Sequence, residues 1–185
     1  DGDLDCFLVN NSPIPVNTLN YINKRNMPAA QWPVAAFLRG GGDHLLRNDN
    51  GRFVEVTQEA GIHGSLISLG LGVTIGDVNR DGWQDIYVSN DYFERDYLYI
   101  NNQDGTFTEA LEQQIREISL SSMGADMADI NNDGYPEIFV TDMLPDDETR
   151  MKTKTTFENW DKYQSDIRNG YYKQFVRNTL QLNNG

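Results

Sequence analysis

Two nine-residue stretches, Asp77 to Asp85 and Asp129 to Glu137, repeat one arrangement of oxygen-bearing side chains 52 positions apart. A chain that spells the same loop twice at such a distance is built from repeats, and the loop is that of a hard-cation site. Calcium takes about six to eight oxygen ligands, which side chains at loop positions 1, 3, 5 and 9 and a main-chain carbonyl at position 7 can supply. In the first copy these are Asp77, Asn79, Asp81, Asp85 and the carbonyl of Trp83; in the second, Asp129, Asn131, Asp133, Glu137 and the carbonyl of Tyr135. Gly82 and Gly134 at position 6 allow the sharp turn between ligands. The chain opens in the same register, with Asp1, Asp3 and Asp5 at positions 5, 7 and 9 of a loop lacking its first half. The expectation is two complete Ca2+ sites and a partial third. Magnesium suits a flexible ring of many oxygens less well, and zinc is excluded by the absence of Cys and His from the loops.

The residues after each loop separate this module from a helix-flanked one. Position 12 is Val88 or Val140, where a helix-loop-helix calcium site needs a bidentate Glu. The segments 5–10, 85–90 and 137–142 alternate with period two and are rich in β-branched and aromatic residues, so they read as strands. Cys6, Ile86 and Ile138 fall in one column, which predicts a buried, unreactive thiol. Segments 43–48, 96–101 and 178–183 align as third strands. The first two of them turn at Asn50-Gly51 and Asp104-Gly105 toward a fourth strand holding Phe53 or Phe107. Ahead of the complete loops, 69–76 and 121–128 are short strands of small residues that permit close backbone approach. The unit is a four-stranded antiparallel sheet recurring about every 50 residues, which is a β-propeller blade.

The runs Leu69 to Asp85 and Met123 to Glu137 resemble the FG-GAP repeats of integrin α-subunit propellers and the related VCBS repeats. Thr141 to Pro145 and Arg177 to Gly185 further resemble the Bacteroidetes-type VCBS proteins associated with ASPIC/UnbV domains. The resemblance implies an all-β fold of about three blades from a propeller of usually about seven, with structural calcium and an exported location: extracellular, cell surface or periplasmic. Glu137 at position 9 departs from the usual Asp and changes how far that carboxylate reaches. On this reading residues 1–68 form a first blade with an insertion at 11–42, 69–120 a second blade, and 121–185 a third with a partly helical insertion at 143–177. The rest of a longer chain, or a neighbouring subunit, is expected to cover the open sheet edges.

A formal net charge of −13 excludes a nucleic-acid partner, and six of the negative charges lie in the two complete loops. No stretch is apolar enough to cross a membrane as a helix. Both insertions begin where the strand after a loop ends, so they emerge opposite the calcium loops and decorate one face. That face is the expected place for a protein or carbohydrate ligand. The first insertion, with Tyr21, Trp32 and Phe37, reads as irregular. The second carries Phe157, Trp160, Tyr163 and Ile167 at helical spacing, stops at Asn169-Gly170, and is expected to pack its aromatic stripe on the scaffold. Neither His44 nor His63 pairs with a nucleophile or base in the pattern, so both read as surface residues and the chain as no enzyme. A calcium-stabilised binding or adhesion module is therefore the leading expectation. A scaffold subunit of a cell-envelope complex and a propeller part of a polysaccharide-acting enzyme are the alternatives.

Overall fold

A computed structural model describes residues 2–12, 25–154 and 160–185. Three antiparallel sheets are laid face to face. The first comprises β1 (Cys6–Leu8), β2 (His44–Asp49) and β3 (Arg52–Glu55). The second comprises β4 (Gly70–Gly76), β5 (Asp85–Asn90), β6 (Tyr97–Asn101) and β7 (Phe107–Glu109), hydrogen-bonded in sequence order. A short helix, α1 (Leu111–Gln114), and a two-residue strand, β8 (Ile118–Ser119), lead to the third sheet. There β9 (Gly124–Ala128) and β10 (Glu137–Thr141) pair, and β12 (Thr179–Gln181) joins the outer edge of β10. These are propeller blades, four-stranded in the middle, and three of them do not close a ring.

Packing between blades explains the strand sequences. Ile86 and Val88 of β5, with Tyr97 and Tyr99 of β6, meet Leu45 and Phe7 of the first sheet. Tyr87 and Leu98 point the other way, onto Ile138 and Val140 of the third. Alternation along β5 therefore selects which neighbour a side chain meets, and all six of its residues are buried. Each such side chain contributes about 1.5–3 kcal/mol of transfer free energy. The inner strands approach closely at their glycines. A Cβ on Gly72 would stand 2.9 Å from Ser89 Oγ and 3.5 Å from the Gly124 Cα of the next blade.

Cys6 departs from expectation. Its column-mates Ile86 and Ile138 are covered by the preceding blade, whereas no described sheet covers the corresponding face of β1, and Cys6 is only half-buried.

The insertions share one end of the stack. The described part of the first holds two 3-10 turns, Ala29–Gln31 and Ala36–Leu38; Tyr21 lies outside the described residues. The second supplies α2 (Glu148–Lys154), α3 (Trp160–Arg168) and β11 (Gln174–Phe175), which pairs in parallel with β8. Trp32 and Tyr171, one from each insertion, are buried together with Leu66 and Ile67, and the half-buried Phe93 packs against them. The aromatic stripe packs only in part. Tyr163 reaches Phe175 at 5.5 Å between ring centroids, but Trp160, stacked on Tyr163 at 5.6 Å, is 69% exposed. Phe157 lies outside the described residues.

Candidate metal centre

Each acidic loop spans the gap between an inner strand and the second strand of its blade, 77–85 from β4 to β5 and 129–137 from β9 to β10. The backbone turns left-handed at positions 4 and 6, with φ of 60° and 89° at Arg80 and Gly82 and of 61° and 90° at Asn132 and Gly134. That conformation costs little for Gly and is tolerated by Asn.

The turn folds the carboxylates inward. Asp81 N–H donates to Asp77 Oδ1 at 3.0 Å and to Asn79 Oδ1 at 3.1 Å, so these two oxygens converge on one hydrogen. Gly82 N–H donates to Asp77 Oδ2 at 2.8 Å and Trp83 N–H to Asp81 Oδ1 at 2.9 Å. The second loop repeats every bond. Asp133 N–H serves Asp129 Oδ1 at 3.1 Å and Asn131 Oδ1 at 2.8 Å, Gly134 N–H serves Asp129 Oδ2 at 2.8 Å, and Tyr135 N–H serves Asp133 Oδ1 at 2.8 Å. Position 9 closes both circuits, Asp85 Oδ2 accepting from Val78 N–H and Glu137 Oε2 from Ile130 N–H, each at 2.9 Å.

The longer Glu changes the second bond. Asp85 Oδ1 accepts Asn101 N–H of β6 at 2.9 Å, tying loop to hairpin, whereas Glu137 Oε1 turns back to the Asn131 amide at 3.1 Å. Both carboxylates are buried, with 0% and 1% exposure. Burial raises the pKa of Asp85, Asn101 and Val78 N–H lower it, and the charges of Asp81 and Asp77 raise it further. The charges of Asp81 and Asp77 thus act against the Asp85 carboxylate, a repulsion that a bound cation would relieve.

Among the described residues, no three His, Cys, Asp or Glu side chains gather closely enough to hold an ion by themselves. A cation would also need the Asn79 or Asn131 oxygen and the Trp83 or Tyr135 carbonyl, with carboxylate oxygens swung off the backbone N–H groups. That all-oxygen, flexible donor set fits a calcium-sized ion. The opening half-loop repeats the bond of Asp85 to its hairpin. Asp5 Oδ1 accepts Asn48 N–H at 2.8 Å and Asp3 Oδ2 accepts Asn50 N–H at 3.2 Å, so both brace the β2–β3 hairpin. Asp1 lies outside the described residues.

A second polar constellation, at the opposite end of the blades, carries no obvious motif. Asn90 N–H donates to Asp96 Oδ1 at 2.8 Å and Asn90 Nδ2 to the Arg95 carbonyl at 2.9 Å. In the first blade Asn10 makes the same pair with Asp43 Oδ1 at 3.3 Å and the Gly42 carbonyl at 2.9 Å. The third reverses the residue types, Asp142 N–H donating to Asn178 Oδ1 at 2.7 Å. These clamps close the connection that holds the insertions. The sequence shows their columns, yet Asn and Asp next to strands read as turn formers. Beside the first clamp opens a cavity of about 570 Å³ lined by Arg25, Arg39, Asp43, His44, Glu55 and His63 among others. Burial pushes Asp43 up to about 7.

His63 is half-buried rather than exposed. Its ring lies 5.5 Å from that of Tyr97 and its Nε2 is 3.1 Å from the Arg25 carbonyl. Burial, then the Arg25 charge, pushes its pKa down to about 4.

The geometry of repeated blade and loop agrees with the comparison to known proteins. A family model described as FG-GAP-like repeat matches residues 1–88 and 77–140. Integrin alpha-6 of Homo sapiens is 37% identical over 84 residues, which is 40% of this chain and 7% of that protein. Integrin alpha-6 of Gallus gallus is 34% identical over 107 residues, 52% of this chain and 10% of that protein. Integrin alpha-3 of Cricetulus griseus is 34% identical over 127 residues, 61% and 11%. The chain thus spans about a tenth of the length of the curated relatives it matches. With the family model covering three quarters of its length and the blades repeating as that model requires, the chain belongs to the FG-GAP-like repeat family.

Proposed function

We propose that this chain is a calcium-stabilised, non-catalytic propeller module that binds a protein or carbohydrate ligand outside the cell, at the cell surface or in the periplasm. The observation that carries the reading is the twin hydrogen-bond circuit of the two loops, in which Asp77 Oδ1 and Asn79 Oδ1 share the Asp81 N–H and, at the same positions of the second copy, Asp129 Oδ1 and Asn131 Oδ1 share the Asp133 N–H. Asp77, Asn79, Asp81, Asp85 and the Trp83 carbonyl hold one ion; Asp129, Asn131, Asp133, Glu137 and the Tyr135 carbonyl hold the other. The ion's contribution is structural: it neutralises converging carboxylates and stiffens the turn between blade strands.

Recognition belongs to the opposite end, where the insertions pack together and leave Trp160 and Phe37 at 69% and 84% exposure. Similarity to integrin alpha chains supports an extracellular binding role. Both histidines are engaged in structure, His44 with Glu55 and the Gly40 carbonyl and His63 against Tyr97, which favours a non-catalytic module. Titration calorimetry should count two calcium ions per chain, with Asp81→Ala and Asp133→Ala each removing one. No heat with calcium in the wild type overturns the metal reading.

A further inference from the structure

The two loops are not independent of each other. Arg80 occupies position 4 of the first loop, between the proposed ligands Asn79 and Asp81, and its guanidinium lies over the Tyr135 ring at 4.9 Å. The same guanidinium fills the space beside Gly134, where an added Cβ would stand 2.9 Å from its Nη1. One loop therefore rests its fourth residue on the sixth and seventh residues of the other, and the carbonyl of Tyr135 is a proposed ligand of the second ion. A second side chain makes the same crossing. Asn183 Nδ2 donates to the Val78 carbonyl of the first loop at 2.7 Å and to the Pro136 carbonyl of the second at 3.3 Å.

In the other two blades the equivalent asparagine stays within its own blade. Asn48 Nδ2 donates to the Leu4 carbonyl at 3.2 Å and Asn101 Nδ2 to the Gln84 carbonyl at 3.1 Å. Asn183 adds to that within-blade bond a second one across to the neighbouring loop. Here too Gly76 of β4 leaves room for Met127 of β9, whose Sδ would be 2.8 Å from a Cβ there.

We propose that Arg80 couples the two calcium sites, so that filling loop 77–85 raises the affinity of loop 129–137. The inference rests on the calcium reading and adds its regulation. An ion in the first loop fixes the backbone on both sides of Arg80, and the guanidinium then holds Gly134 and Tyr135 in the conformation that presents the Tyr135 carbonyl. The second ion meets a site whose ordering cost is already reduced, which is positive cooperativity without any large movement. Coupling is reciprocal, so the second ion tightens the first by the same factor. Arg80 contributes no ligand atom; it acts through its neighbours as a positioning residue.

The test uses terbium as a calcium-sized probe whose luminescence is excited through a neighbouring ring. Excitation through Trp83 reports the first loop and through tyrosine the second, and calcium displacement gives each affinity. Disabling the first site with Asp81→Asn should weaken the second by about fivefold or more. The same substitution in an Arg80→Ala background should leave the second affinity within about twofold of Arg80→Ala alone, and Tyr135→Leu, which keeps the carbonyl but removes the reporting ring and is therefore read by calcium calorimetry, should abolish the linkage likewise. Arg80→Lys separates charge from planar stacking: a compact ammonium should restore little of the coupling. Two bound ions with a second affinity indifferent to Asp81→Asn overturn the coupling and leave the calcium reading intact. Failure of either loop to take terbium or calcium overturns both.

Discussion

The two ends of these blades solve their polar problems in opposite ways. At the loop end, two copies set the same ligand types at positions 1, 3 and 5, and their backbone N–H bonds repeat to within a few tenths of an ångström, with position 9 buried beneath an otherwise mostly exposed loop. At the clamp end, three blades close the same connection with Asn–Asp, Asn–Asp and Asp–Asn pairs, and the middle pair is fully buried. A site meant for an ion repeats its chemistry, because every ligand must face one centre. A purely structural clamp needs only one acceptor and one donor, so it tolerates exchange.

The comparison breaks most sharply at Asp96. Its carboxylate accepts the Asn90 N–H, the Tyr87 hydroxyl at 2.6 Å and the Ser122 hydroxyl at 2.8 Å. Asp96→Ala strands three buried donors and should cost about 3 kcal/mol in chemical denaturation. The loss should be the same in calcium and in chelator; a calcium-dependent loss would merge the two ends into one system.

Loop substitutions should behave conversely. Asp129→Ala should leave the melting temperature in chelator within about 1 °C of wild type, and remove about 2–3 kcal/mol of stabilisation at calcium about a hundredfold above Kd. An equal loss without calcium would mean that the loop circuit stabilises the blade on its own.

A smaller effect sharpens the clamp comparison through pH. In the first blade Phe7 and Gly70 replace the hydroxyls that Tyr87 and Ser122 give Asp96, and Asp43 Oδ2 has no hydrogen-bond partner among the described residues. The folded state holds the Asp43 proton more tightly than the unfolded chain, whose value is 3.8, with the folded value near 7. Its contribution is therefore complete below about pH 4 and lost as pH rises to 7. Asn stands naturally at the third clamp, so Asp43→Asn should melt a few degrees higher at pH 8 and no higher at pH 4. His63 works in the opposite sense, its stabilisation being lost as pH falls from 6.5 toward 4. His63→Gln should accordingly flatten the acid side of the profile. Unchanged pH profiles in both variants would remove these groups from the account.

The smallest expected effect lies at position 9. Glu137→Asp should recover an Asp85-like geometry, shifting the second site's affinity by severalfold while moving the melting temperature in chelator by under about 1 °C.

Period-two strands, the small-residue inner strands and the two loops are legible in the sequence because each is a local pattern with one physical reading. The shared face of the insertions comes from strand direction alone, and Trp32 meets Tyr171 there. Properties of contact are what the sequence hides. Cys6 looks equivalent to Ile86, but burial depends on the neighbouring blade and not on the column. His63 looks like a loop residue, yet its environment is set by Tyr97 and Arg25, 34 and 38 positions away. The Asn–Asp clamps stand in aligned columns without a motif, since a reversed pair preserves the bond and erases the spelling. Arg80 at loop position 4 looks like a solvated charge, and only the fold lays it across Tyr135.

One melt decides the central claim that the acidic loops are cation sites bracing adjacent blades. With millimolar calcium the wild-type chain should unfold about 5 °C or more above its melting temperature in chelator, and re-adding calcium should restore the shift. Superimposable melting curves in the two buffers would contradict it.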